Sequence, residues 1–160
     1  MATGTVSSVT GDVFQQIATT TVTSGSEVNF TSISGYKTLM VVFNRATLAA
    51  GNGLWLEFNG DTANNYGYTT FNGTATNSYF YACVLTAASG ADIYSGNAVI
   101  KDVNNTSIVK TVESTTNANS NGSAGRGSGT WNSTAAITSV KIYTFSTFTA
   151  GAFTLYGIAA

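Results

Sequence analysis

The segment "WLEFNGDTANNYGYTTFNG", residues 55–73, carries the densest group of chemically capable side chains in the sequence. Trp55, Tyr66 and Tyr68 supply aromatic faces, and Asn59, Asp61, Asn64 and Asn65 supply amide and carboxylate oxygens. Aromatic faces beside such oxygens suit a sugar-binding site or an oxygen-ligand calcium site. A plainer account fits the same residues: alternate aromatics fill a core while Asn and Asp make turns. One Asp among scattered amides is a poor calcium set, so no metal is expected. Arg126, the single charge in "TTNANSNGSAGRGSG", is a further candidate contact residue.

Catalysis has little to work with. The chain has no histidine, which removes the usual general base, the commonest metal ligand and the ordinary pH switch. One cysteine, Cys83, forms no intrachain disulfide and no structural zinc site. It lies in the apolar run "SYFYACVLT", and a buried, reduced thiol is expected there. Glu57, Asp61, Asp92, Asp102 and Glu113 leave carboxylate chemistry formally open; a glycosidase needs two carboxyls about 5–10 Å apart in a cleft, and Glu57 and Asp61 could meet near a strand end. Nothing else supports that pairing. The expectation is a protein that is not an enzyme and needs no cofactor.

Charged residues are 8% of the 160, against about 25% in an ordinary soluble domain. Ser, Thr, Asn and Gly must therefore solvate the surface. Six basic residues against seven acidic ones form no cationic cluster, so neither nucleic acid nor an anionic membrane is an expected partner. No apolar run approaches the ~20 residues of a membrane-spanning helix. The start, "MATGTVSS", has neither basic nor apolar signal-peptide character, and synthesis without export is expected. Six Asn-x-Ser/Thr matches, at Asn29, Asn72, Asn104, Asn105, Asn121 and Asn132, then carry no glycosylation argument.

These side chains must be positioned by strands. Short apolar or alternating runs bounded by turn residues fall at 13–22, 27–32, 37–45, 54–59, 66–71, 78–86, 98–103, 107–114, 140–148 and 152–158. Nine or ten strands with no significant helix point to an all-β fold, an antiparallel β-sandwich of jelly-roll type, with a closed barrel as the alternative. Asn59-Gly60 and Asn72-Gly73 match tight hairpin turns, Asn104-Asn105 a turn between 98–103 and 107–114, and Thr149-Ala150-Gly151 a turn before the last strand. Residues 13–160 read as one domain. Residues 115–129 read as a mobile loop, and 1–12 as an extended polar arm including Ala2, Thr3, Val6 and Val9.

Sheet edges are normally guarded by proline, charge or bulges. This chain has no proline and few charges, so its edges should be very short or covered by another chain. The arm, at about 3.3 Å per residue, reaches roughly 40 Å and could cover a neighbour's edge. A homo-oligomer is expected.

The ending "GSGTWNSTAAITSVKIYTFSTFTAGAFTLYGIAA", with Trp131, Ile137, Val140, Ile142, Phe148, Gly151, Phe153, Leu155, Tyr156, Gly157 and Ile158, resembles that of a group of tailed-phage virion proteins. There a Trp precedes an I-x-x-I/V-x-I strand, a Phe, a small-residue turn and a final F-x-L-Y-G-I. The stretch "YKTLMVVF…LWLEFNGDTANNYGY", residues 36–68, is similar to the same group. The resemblance implies a β-sandwich virion module. The expected function is a capsid cement or decoration protein on the head exterior, bound to the major capsid protein or another virion protein, in the virion and most simply as a trimer matching the shell's local threefold axes. The alternatives are a tail-fibre or tail-tip receptor-binding protein, or a carbohydrate-binding module.

Overall fold

The computed structural model describes residues 13–50, 53–70, 75–80, 83–86, 93–118 and 124–160; for 68–70, 75–80, 83–86 and 124 the backbone alone is described. Among these residues twelve strands run in chain order: β1 (Gln15–Val22), β2 (Glu27–Phe30), β3 (Tyr36–Leu48), β4 (Leu54–Phe58), β5 (Tyr66–Thr70), β6 (Ala75–Phe80), β7 (Cys83–Thr86), β8 (Ile93–Lys101), β9 (Lys110–Ala118), β10 (Ala124–Trp131), β11 (Val140–Tyr143) and β12 (Phe148–Ala159). No helix occurs among the described residues. The fold is an all-β sandwich of two antiparallel sheets. One sheet has eight strands in the order β1-β12-β3-β8-β9-β10-β5-β6, and the other has four, β2-β11-β4-β7.

The pairing is nested. With the β5-β6 and β9-β10 insertions set aside, eight strands remain, and the first pairs the last (β1 with β12). The second then pairs the seventh (β2 with β11), the third the sixth (β3 with β8), and the fourth the fifth (β4 with β7). A long hairpin rolled into two layers has this order. The two insertions lie together beyond β8 and widen the large sheet to eight strands.

Strict alternation makes the core. Leu39, Val41 and Phe43 on β3, and Phe153 and Leu155 on β12, face Leu54, Leu56 and Phe58 on β4, and Val140 and Ile142 on β11; all are buried. The last strand places Phe153, Leu155 and Gly157 inward, with Thr154, Tyr156 and Ile158 half-buried on the other face. Its position between β1 and β3 explains why aromatics end the chain. Gly157 is required by packing, because a Cβ there would enter the ring of Tyr36.

Several local expectations are corrected. Asn59 and Gly60 do take positive φ, 54° and 67°, but they turn the chain from the small sheet to the large one instead of closing a hairpin. Thr149-Ala150-Gly151 is no turn. The chain leaves the small sheet after Tyr143 and joins the large one at Phe148. There the register shifts between Phe148 and Ala152, accommodated by Gly151 at φ 143°.

The stretch 115–129 is largely a hairpin: β9 continues to Ala118, and β10 begins at Ala124. Its inward register positions are Gly125, Gly127 and Gly129, opposite Thr116, Ser114 and Val112. A strand whose core-facing positions are glycines has no apolar period to read. The run 78–86 is two strands, β6 and β7, lying in different sheets. The expected pairing of 98–103 with 107–114 appears as β8 with β9, closing from Lys101 opposite Thr111. The arm 1–12, the Asn72-Gly73 turn and the Cys83 side chain lie outside the described residues; the Cys83 backbone pairs with Leu56.

Candidate functional site

The aromatic and amide segment folds into a corner. Asp61 N–H donates to the Phe58 carbonyl at 2.9 Å, closing the Asn59-Gly60 turn. The Asp61 carboxylate then accepts three bonds: from Ala63 N–H at 3.0 Å, Asn65 Nδ2 at 2.9 Å and Trp131 Nε1 at 2.7 Å. Burial alone would raise its pKa. The bonds from Asn65, Trp131 and Ala63 outweigh burial and hold the carboxyl below its ordinary value.

Asn59 is used as completely. Its Nδ2 donates to the Ala136 carbonyl at 2.8 Å, and its Oδ1 accepts from Thr138 N–H at 2.7 Å and Ser139 N–H at 3.1 Å. Tyr66 is fully buried. Its hydroxyl accepts from Phe58 N–H at 3.0 Å and lies 3.1 Å from the Asp61 carbonyl. Phe58, Tyr66 and Trp131 pack with centroids 5.6–6.4 Å apart, the Tyr66 and Trp131 rings stacked at 19°. With Tyr66 and Trp131 in the core and the half-buried Asn59 and Asp61 hydrogen-bonded to distant segments, the corner ties the two sheets together. Of the residues expected on a ligand or partner surface, Tyr66 is buried, and Asn59 and Asp61 are half-buried and engaged in these internal hydrogen bonds.

The other candidates lie elsewhere. Arg126 is exposed on β10 opposite Thr115. Tyr68 pairs through its backbone with Gly129 and Thr76, and its side chain lies outside those described, as do Ala2, Thr3, Val6 and Val9. Trp55 lies on the outward face of the small sheet, by the alternation that buries Leu54, Leu56 and Phe58. Its ring meets Phe145 edge-on at 5.5 Å, and Phe145 meets Tyr143 edge-on at 5.5 Å.

Beside these rings Lys141 Nζ pairs with Glu57 Oε1 at 2.7 Å and lies 5.3 Å from the Tyr143 ring centroid. Glu57 is 3% exposed, so this is a nearly buried charge on the outward face of a sheet. Burial, and then the Glu57 charge, push the Tyr143 hydroxyl pKa up. Glu57 and Asp61 thus take separate partners: one holds Lys141, the other Trp131.

Sequence reasoning missed three positioning residues. Trp131 anchors Asp61 across 70 positions, and Lys141 neutralises Glu57. Lys110, fully buried, donates its ammonium to the carbonyls of Asn105, Ile108 and Thr134. Burial lowers its pKa, partly opposed by Asp102. Only Trp131 had a signal, its place in the virion-like ending. No group of three or more His, Cys, Asp or Glu gathers as a metal set among the described residues.

Fold and site define a β-sandwich with an internally satisfied corner and an aromatic patch on its small sheet. No protein-family model matches the chain, and no curated protein matches it. Among solved structures it is similar to the marine PL-14 alginate lyase from Aplysia kurodai, at 7% identity and a TM-score of 0.32, over 79% of this chain and 70% of that one.

Proposed function

We propose that this chain is a structural virion protein of a tailed phage, a capsid cement protein that binds the head exterior as a homo-oligomer seated on the major capsid protein. The observation that carries the reading is where the two virion-like stretches lie. They are separated in sequence, yet they meet twice. Residues 36–48 and 148–159 pair along the β3–β12 ladder, and the "FNGD" turn accepts hydrogen bonds from Trp131, Thr138 and Ser139 and donates one to the Ala136 carbonyl. The resemblance therefore falls on one packed unit of the fold, as a shared module would. We read the nested strand order as a jelly roll. Low charge supports the role too, since lateral contacts between copies then meet little like-charge repulsion.

The outward aromatic patch favours a second reading, a tail-fibre or tail-tip protein that binds a receptor glycan, or a free-standing carbohydrate-binding module. Phe145 is 64% exposed beside Trp55 and Tyr143, and aromatic faces with nearby polar groups are what sugar sites use. Quantitative mass spectrometry of purified source particles decides between these. A copy number comparable to that of the major capsid protein is expected for cement. Fibre-like abundance, with glycan binding lost in Trp55→Ala and Phe145→Ala, would establish the second reading, and absence from particles would overturn both virion roles.

A further inference from the structure

We propose that two copies of this chain pair edge to edge through β1, antiparallel, about a twofold axis at Thr20. This pairing is independent of the virion reading. Among the described residues the sandwich has four outer strands, and those of the small sheet, β2 and β7, are four residues each, too short to template much pairing. β1 differs: it has eight residues, "QQIATTTV", with no charge and no proline. A register shift between Gln16 and Ala18 interrupts its first half, whereas residues 18–22 run in unbroken register against β12. In an antiparallel edge strand every second residue turns both its N–H and its C=O away from the sheet. Along 18–22 these groups form a short, regular row on the edge that pairs with no other described strand.

The side chains select the partner. Read antiparallel about Thr20, the run Ala-Thr-Thr-Thr-Val sets Ala18 opposite Val22, Thr19 opposite Thr21, and Thr20 opposite itself. Small meets small and threonine meets threonine, with no like charges facing. Cross-strand threonine pairs are favourable, and one already operates at this edge, where the Thr19 and Thr154 hydroxyls lie 3.0 Å apart. Pairing continues that hydroxyl row into the second copy, since Thr19 and Thr21 are both exposed on the same face. This self-complementarity makes a second copy the occupant and twofold symmetry its arrangement. The edge pattern is twofold, whereas the shell's local threefold axes imply a trimer.

A five-residue strand pair is at the small end of specific interfaces, so the dimer forms reversibly with concentration. Sedimentation velocity on the full chain at rising concentration should show the mass moving from the 16.5 kDa monomer to twice that value. Two double variants test the register. T19K/T21K places lysine opposite lysine at both flanking positions and should move dimerisation to at least roughly tenfold higher concentration. T19K/T21E places lysine opposite glutamate at the same positions and should dimerise like the parent. Both lose the Thr19–Thr154 hydroxyl contact, so any cost to folding is shared, and thermal melting by circular dichroism should match between them. A parent that stays monomeric, a parent that forms a trimer, or variants that associate equally would each overturn the proposal.

Discussion

Replacing Asp61 with Asn tests the corner directly. The carboxylate offers two oxygens to three donors, at 3.0, 2.9 and 2.7 Å. An amide of the same shape offers one oxygen, and its NH2 must then face either the Ala63 N–H or the Asn65 and Trp131 donors. Hydrogen bonds to a charged group contribute roughly 1.5–3 kcal/mol each and neutral ones about 1. Losing one bond outright and the charge from the others should cost about 2–4 kcal/mol. For a chain of this length that lowers the melting temperature by roughly 5–15 °C.

The pH dependence separates this from a packing effect. The folded-state carboxyl titrates below its ordinary value of 3.8, so in acid the unfolded chain takes up the proton first. The contribution is fully present above about pH 4 and is lost as pH falls through the lower, folded-state value. Urea denaturation followed by tryptophan fluorescence at pH 7 and at steps below pH 4 measures both effects. The gap between parent and Asp61→Asn should be widest at pH 7 and close in acid. A gap under about 0.5 kcal/mol at pH 7, or one that acid leaves unchanged, refutes the argument.

Gly157→Ala places a methyl group in the Tyr36 ring and should cost about 1–3 kcal/mol; in a Tyr36→Ala background the same change should cost less, and a double-mutant cycle by urea denaturation measures the difference. Lys141→Met leaves Glu57 nearly buried without its partner and should cost roughly 2–3 kcal/mol, below the 3–5 of fully buried pairs because Lys141 keeps some solvent. Glu57→Leu with Lys141→Met should restore most of that loss in the same melting assay. Above about pH 10 the Tyr143 hydroxyl, raised in the folded state, loses its contribution as pH rises through that folded-state value; Tyr143→Phe should flatten this part of the alkaline stability profile.

Fold class was legible because period two is a local signal. Each of the ten expected runs contains strand, and the alternation of Phe153, Leu155 and Gly157 against Thr154, Tyr156 and Ile158 was readable before any partner was known. So was the left-handed turn at Asn59-Gly60, since Asn and Gly tolerate positive φ wherever they stand. Most of β10 was not legible, because glycines occupy its inward positions ahead of Trp131 and leave no apolar period. Nor was the fate of "FNGD" and its neighbours. Their residue types suit a ligand site and a sheet-joining corner equally, and the choice depends on donors from Trp131 and residues 138–139, roughly 70–80 positions away. The same holds for Glu57, a candidate acid in sequence and an ion-pair partner of Lys141 in space. Periodicity reports which face of a strand is apolar and says nothing of which strand lies beside it. Strand order, the corner and the buried ion pair are properties of that adjacency, and they exist only once the nested pairing has closed the two sheets.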